Sequence, residues 1–262
     1  MATVRDIEAY LWQLAPRELK LDFDNVGLLA GFPENQVSRV LVSLDITDAV
    51  IEEAVYMGAE LIVAHHPLFL DGQKNILTTD ATGRKIISLI EKGISAICMH
   101  TNLDAAEGGV NDALAHKLGG RVSGILNDED RISRIAELSE AEAFPDFLAR
   151  ACAALDSNGL RYHDAGRPVR RMGLCGGSGG QDLELAFRKG CDTFVSADIK
   201  YHQFLLAEEL NINLIDADHF CTENVIVPIL ADKITKHFGG KIRAAQSRVH
   251  RQTAQFYIPD MA

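Results

Sequence analysis

The chain has 262 residues, of which 47% are hydrophobic and 24% charged, with a formal net charge of −11. That length supports one large or two small domains without disulfide or zinc staples. The acidic balance disfavours non-specific attraction to nucleic acid, and no apolar run approaches a membrane span.

The start, Met1 to Asp6, lacks the basic-then-apolar layout of a secretion signal, and the five cysteines are an odd count with no paired-ligand spacing. A cytoplasmic protein with reduced thiols is expected. Thr3 and Asp6 predict a helix start, with Ile7, Tyr10, Leu11 and Leu14 as its buried stripe up to Pro16. A loop follows, Leu21 to Leu29, whose acids Asp22 and Asp24 suit helix capping. Val40 to Asp45 reads as a buried strand, and Thr47 caps a helix that Gly58 ends. Leu61-Ile62-Val63-Ala64 is a short buried strand delivering His65-His66-Pro67 at its end. Neighbouring side chains of a strand point to opposite faces, but where the chain turns the two imidazoles can each reach a different ion in one cleft.

Arg84 to Lys92 reads as a helix stopped by Gly93, and Ile94 to Met99 as a strand leading into His100-Thr101-Asn102-Leu103-Asp104. Gly108-Gly109 precede a helix from Val110 to Leu118, closed by Gly119-Gly120. Arg121 to Asp130 shows no periodicity and reads as a connector. Glu142 to Leu155 predicts a helix interrupted early by Pro145. Met172 to Cys175 is a strand running into Gly176-Gly177-Ser178-Gly179-Gly180, which suits a tight strand-to-helix turn at least as well as a phosphate loop, since no Walker lysine accompanies it. Gln255 to Ile258 reads as a closing strand. Strand and helix alternate, so an α/β fold with a largely parallel sheet is expected.

The second half repeats the first. Gly58 to His66 lines up with Gly190 to Asp198, and His100 with Asp104 matches His219 with Glu223. The second pair precedes a helix finishing at Gly239-Gly240, as the first precedes one finishing at Gly119-Gly120. The boundary between the two repeats is expected near residues 125 and 126. In open α/β sheets ligands collect beyond the carboxyl ends of strands, where His65-His66, His100 to Asp104 and His219 to Glu223 all fall. Imidazoles with carboxylates suit Zn, Mn, Fe or Co, and the absence of thiolates argues against a closed structural zinc site. The set exceeds what one tetrahedral ion needs and fits two ions bridged by a carboxylate and a water, the source of hydroxide in many hydrolases. His116, His163, His237 and His250 have no acid partner at a strand end and read as solvated or satisfied residues. His202, opening a helix after Asp198-Ile199-Lys200-Tyr201, is either a substrate group or a residue behind the ligands.

Phe23-Asp24-Asn25-Val26-Gly27-Leu28, Ala64-His65-His66-Pro67-Leu68, His100 to Ala106, Ser196 to His202 and Asp216 to Glu223 together resemble the Nif-three-like dinuclear metal-centre family, whose members are named GTP cyclohydrolase I type 2 homologues. The resemblance spans nearly the whole chain and is to the short form. It implies metal ligands at His65, His66, Asp104, His219 and Glu223, with Glu223 bridging and His100 nearby. It also implies two intertwined α/β repeats and a ring-shaped homohexamer built as a trimer of dimers. Ala197 and Asp218 stand where glycine is usual, and Phe23 where tryptophan is. If position 218 needs a positive φ, Asp tolerates it better than most residues. The activity expected is hydrolysis of a small nucleotide-like or cyclic amide substrate through a metal-bridging hydroxide, with His100 or His202 moving protons; the cyclohydrolase label is what the resemblance implies. A non-catalytic metal-binding partner protein is the alternative, and a DNA-binding ring is weakened by the net charge.

Overall fold

A computed structural model describes residues 2–257. The chain divides into two compact units. The first is Met1–Gly109 with Ile226–His250, and the second is Val110–Val225 with Arg251–Ala262. A helix thus leaves each half: Val110–Lys117 follows the first repeat but lies in the second unit, and Ile226–His237 makes the reverse passage. The helix stops read from Gly119 and Gly239-Gly240 hold, since all three take positive φ of 59–75°.

In the first unit, helix α1 (Val4–Leu14) begins with a capping box between Thr3 and Asp6. Strands β1 (Gly27–Ala30) and β2 (Arg39–Ser43) precede helix α2 (Asp48–Met57), which Thr47 caps and Gly58 ends at φ 63°. Then come β3 (Leu61–Ala64), α3 (Ala81–Glu91), β4 (Ser95–Cys98) and α4 (Thr101–Ala105). In the second unit, α5 (Val110–Lys117), β5 (Arg121–Ile125), β6 (Arg134–Glu142), α6 (Phe144–Ala154), β7 (Arg161–His163) and β8 (Val169–Ser178) are followed by α7 (Leu183–Arg188), β9 (Thr193–Ala197), α8 (Tyr201–Leu210), β10 (Asn213–Asp216) and α9 (His219–Glu223). Helix α10 (Ile226–His237) and β11 (Arg243–Gln246) complete the first unit.

The first sheet has the order β1-β4-β3-β2-β11 and is parallel except for β1, which pairs antiparallel with β4. Leu41, Ile62 and Ala96 stand side by side in register and face one core with Val50, Ile51, Ile86 and Leu89 of α2 and α3. Val40, Val42, Leu61, Val63 and Ile97 take the opposite face and are also buried. Both faces being covered explains why β3 reads as an unbroken apolar run. The second sheet, β5-β6-β8-β9-β10-β7, is mixed: only β8, β9 and β10 run parallel. One face packs Leu174, Val195 and Ile215 against α5 and α6, and the other packs Phe194 and Leu214 against α7 and α8.

Four readings differ. Residues 121–125 are a strand, not connector, paired antiparallel to β6 with a bulge between Val122 and Gly124; an irregular edge strand carries little alternation. Gly27 to Ala30, read as loop, is likewise an edge strand. Pro145 does not interrupt α6 but sits in its first turn, where its missing N–H costs nothing. Residues 255–257 form no strand, and Ile258 lies outside the described residues.

Each unit has an extensive apolar core of its own, so folding is not expected to depend on a metal. Chelator-treated protein should keep its helical far-ultraviolet circular dichroism at room temperature, and collapse to an unfolded spectrum would identify a structural metal site instead.

Candidate functional site

In the first unit the parallel strands deliver their functional residues at one end. Beyond β3, the His65 N–H bonds Ser43 O and Leu44 O (3.2 and 3.1 Å) and the His66 N–H bonds Leu44 O (2.8 Å), which ties the turn to the end of β2. His100 follows β4 and stands at the N-cap position of α4, without a side-chain cap bond. One ligand atom from each of His65, His66 and His100 lies within 4.8 Å of the others, close enough to share an ion. Asp104 comes one helical turn after His100 and brings Oδ1 to 3.6 Å from His65 Nε2.

The second unit repeats the device. Helix α9 begins after β10, and His219 and Glu223, also four residues apart, place Nε2 and Oε2 3.1 Å from each other. Asp218 precedes them at φ 71°, a conformation that favours glycine, and its carboxylate accepts the Cys221 N–H. The substitution therefore keeps the loop and adds a cap.

The glycine run is not a phosphate loop. Strand β8 continues through Ser178, and Gly177 lies against the ligand pair at φ 62°. A Cβ there would stand 2.1 Å from Glu223 Oε1 and 3.1 Å from His219 Nε2. Gly177 N–H also bonds Thr222 Oγ1 at 3.0 Å. Gly177 thus lets β8 approach the His219 and Glu223 side chains of α9 closely.

Every one of these imidazoles is oriented through the same nitrogen. His65 Nδ1 lies 2.8 Å from Met99 O, His66 Nδ1 2.8 Å from Asp45 Oδ1, His100 Nδ1 2.8 Å from Asp24 Oδ1, and His219 Nδ1 2.7 Å from Asp198 Oδ2. A carbonyl or carboxylate oxygen only accepts, so Nδ1 carries a proton, and in a neutral ring Nε2 is the nitrogen left able to coordinate. Burial alone would raise Asp24, but hydrogen bonds from His100 and Thr101 bring it down to about 2. Burial would also raise Asp45, and hydrogen bonds from His250 and His66 hold it well below the usual carboxylate range instead. Asp24 also accepts the Thr101 N–H at 2.9 Å, so the capping read from sequence is present and serves His100 as well.

Imidazoles together with buried carboxylates suit a divalent cation. Thiolates are not in the set: burial pushes the Cys98 thiol up, and burial followed by Asp218 pushes Cys221 to about 12.

Sequence reasoning missed Asp45 and Asp198 as the acceptors behind His66 and His219. It also misread His250, whose Nε2 meets Asp45 Oδ2 at 2.8 Å, so this histidine does have an acid partner. An acid immediately beyond a strand was the available signal for Asp45; none marked His250. His202 lies exposed in the first turn of α8 and, among the described residues, joins no cluster of three ligand groups. His163 ends β7, opposite Leu214 of β10, and among the described residues joins no cluster of three ligand groups.

A family model described as Duf34/NIF3 (NGG1p interacting factor 3) matches residues 2–253. The chain belongs to this family. It is 33% identical over 260 residues to a GTP cyclohydrolase 1 type 2 homolog of Clostridium perfringens, covering 97% of this chain and 99% of that one. A NIF3 homolog of Schizosaccharomyces pombe is 30% identical over 237 residues, 82% of this chain and 83% of the yeast protein. Among solved structures, a hypothetical protein of Staphylococcus aureus superposes with a TM-score of 0.90 at 27% identity, over 97% of this chain and 99% of that one. No helix among the described residues is long and apolar enough to cross a membrane.

A cation held by the second-unit pair would be taken up in a pH-dependent way. Burial would lower His219, but Glu223, by hydrogen bond and charge, and then Asp198 push it up to about 9. In the metal-free protein that shift stabilises the fold fully below the unfolded value of 6.5, and the benefit is lost as pH rises through about 9. A cation bound there would have to displace that proton. Apparent Mn²⁺ affinity should therefore rise about tenfold per pH unit between roughly pH 6.5 and 8.5. Titrations that give one affinity across this range would remove His219 from the ligand set.

Proposed function

We propose that the protein is a dinuclear divalent-metal protein acting as a hydrolase on a small nucleotide-like or cyclic amide substrate. The observation that carries this reading is the shared orientation of His65, His66, His100 and His219, each turned by an acceptor on Nδ1. Such histidine orientation is the habitual support of a metal ligand. Family membership and relatives named GTP cyclohydrolase 1 type 2 homolog add support for cyclohydrolase-like chemistry.

The residues that would hold two ions are His65, His66, Asp104, His219 and Glu223. When bound, such ions supply Lewis acidity and lower the pKa of a coordinated water toward neutrality. Asp45, Asp24 and Asp198 keep the proton on Nδ1 of their histidines. In this reading His100, with Asp24 on Nδ1, or His202 moves protons, and His202 otherwise meets the substrate or stands behind the ligands. A homohexamer in the cytoplasm is part of the proposal, as the family resemblance implies.

The family description, an interacting factor, favours a second reading: a metal-binding partner protein without turnover. A screen of metal-loaded protein against nucleotides, cyclic amides and phosphoesters separates the two. Turnover lost on chelation supports the hydrolase; no turnover together with a stoichiometric protein partner supports the other.

His65→Ala and His66→Ala should each purify with about one metal per chain where the parent has two, and Glu223→Ala with fewer, because it is proposed to bridge. His163→Ala should match the parent. Parental metal content in both histidine variants would end the dinuclear reading. Light scattering should return a mass several times 28.7 kDa, and a monomer at micromolar concentration would end the oligomeric one.

A further inference from the structure

His250 reaches Asp45 because of strand direction. Strand β11 runs parallel to β2, with Arg243 opposite Arg39 and Gln246 opposite Val42. The chain beyond β11 therefore emerges at the end of the sheet where β2 delivers Asp45 and β3 delivers His65 and His66. It is tied down there. Ser247 N–H bonds Val42 O (2.8 Å), Ser247 Oγ donates to Glu53 Oε2 (2.6 Å), Arg248 N–H bonds Glu53 Oε1 (2.9 Å), and His250 N–H returns to Ser247 Oγ (3.1 Å). His250 then meets Asp45 Oδ2 at 2.8 Å with its side chain 10% exposed.

The other oxygen of the same carboxylate, Oδ1, takes His66 Nδ1 at 2.8 Å. A carboxylate gripped at one oxygen can still swing about its terminal torsion, which is broad. Gripped at both oxygens by two imidazoles it cannot, and the direction it gives to the His66 ring is set. The donor is Nε2–H of His250, since the carboxylate only accepts.

We propose that His250 is a positioning residue for His66: by holding Oδ2 of Asp45 it fixes the carboxylate that aims His66 Nε2 at a divalent cation. This rests on the metal reading above. It assigns a role to the C-terminal segment that none of the ligand motifs contains.

The test is calorimetric titration with Mn²⁺ of the full chain, His250→Ala, His250→Gln, Asp45→Ala and the double variant. His250→Ala should bind about tenfold more weakly, the lower end of what removing a partner behind a ligand costs. His250→Gln, whose amide can still donate, should regain most of that loss. In the Asp45→Ala background the His250→Ala change should cost nothing further. Should His250→Ala lose its circular dichroism, His250→Met fills the space without a donor and takes its place. Parental affinity in the donor-less variant, or an equal loss with Asp45 already removed, would overturn the inference while leaving the metal reading standing. A parent chain that binds no Mn²⁺ would overturn both.

Discussion

The site depends on one interaction made four times: an imidazole Nδ1–H given to an oxygen that the fold holds still. Met99 O does this for His65, Asp45 for His66, Asp24 for His100 and Asp198 for His219. A histidine has two chemically distinct nitrogens, and which of them can coordinate is decided by what the other one touches. The acceptors are of two kinds. A backbone carbonyl offers only lone pairs and cannot itself titrate, so Met99 O can only accept from His65 Nδ1. The carboxylates do the same while ionised, and the hydrogen bonds that hold Asp24 and Asp45 below the usual range keep them so.

Strand direction puts these groups in reach of one another within the first unit. Because β2, β3, β4 and β11 are parallel, Asp45, His65, His66, His100 and His250 all leave the sheet at the same end. An antiparallel neighbour would have sent one of them to the opposite edge. The short helices after β4 and β10 then add a carboxylate one turn after a histidine, as Asp104 follows His100 and Glu223 follows His219. The duplicated unit thus yields two like pairs with different surroundings: Asp24 behind the first, Asp198 behind the second, and Gly177 pressed against the second alone.

Two positions show how local backbone serves the ligands. Asp218 adopts a positive φ that most side chains avoid and offsets it by capping α9 with its own carboxylate. Gly177 has no substitute of that kind, because any Cβ would enter the space of the Glu223 carboxylate. One departure from glycine is accommodated where the side chain faces a helix N-terminus, and none would be where it faces a ligand.

What the sequence by itself determined was the alternation of buried strands and capped helices, the repeat, and the segments that carry histidine and acid to the ends of strands. Apolar runs of four residues, a Thr or Asp before a helix and a Gly after it are local signals with local causes. The pairs His100 with Asp104 and His219 with Glu223 were legible for the same reason, since a spacing of four is one helical turn. Only the tertiary structure decided which oxygen stands behind each imidazole, because Asp45 lies 21 residues from His66 and Asp198 21 from His219. It also decided that His250, 205 residues from Asp45, is no idle surface histidine, and that the glycine run seats a carboxylate rather than a phosphate. The edge strands β1 and β5 escaped notice because a strand bound on one side needs no clean alternation. Contacts made across hundreds of residues leave no period in the chain, and strand order alone brings them together.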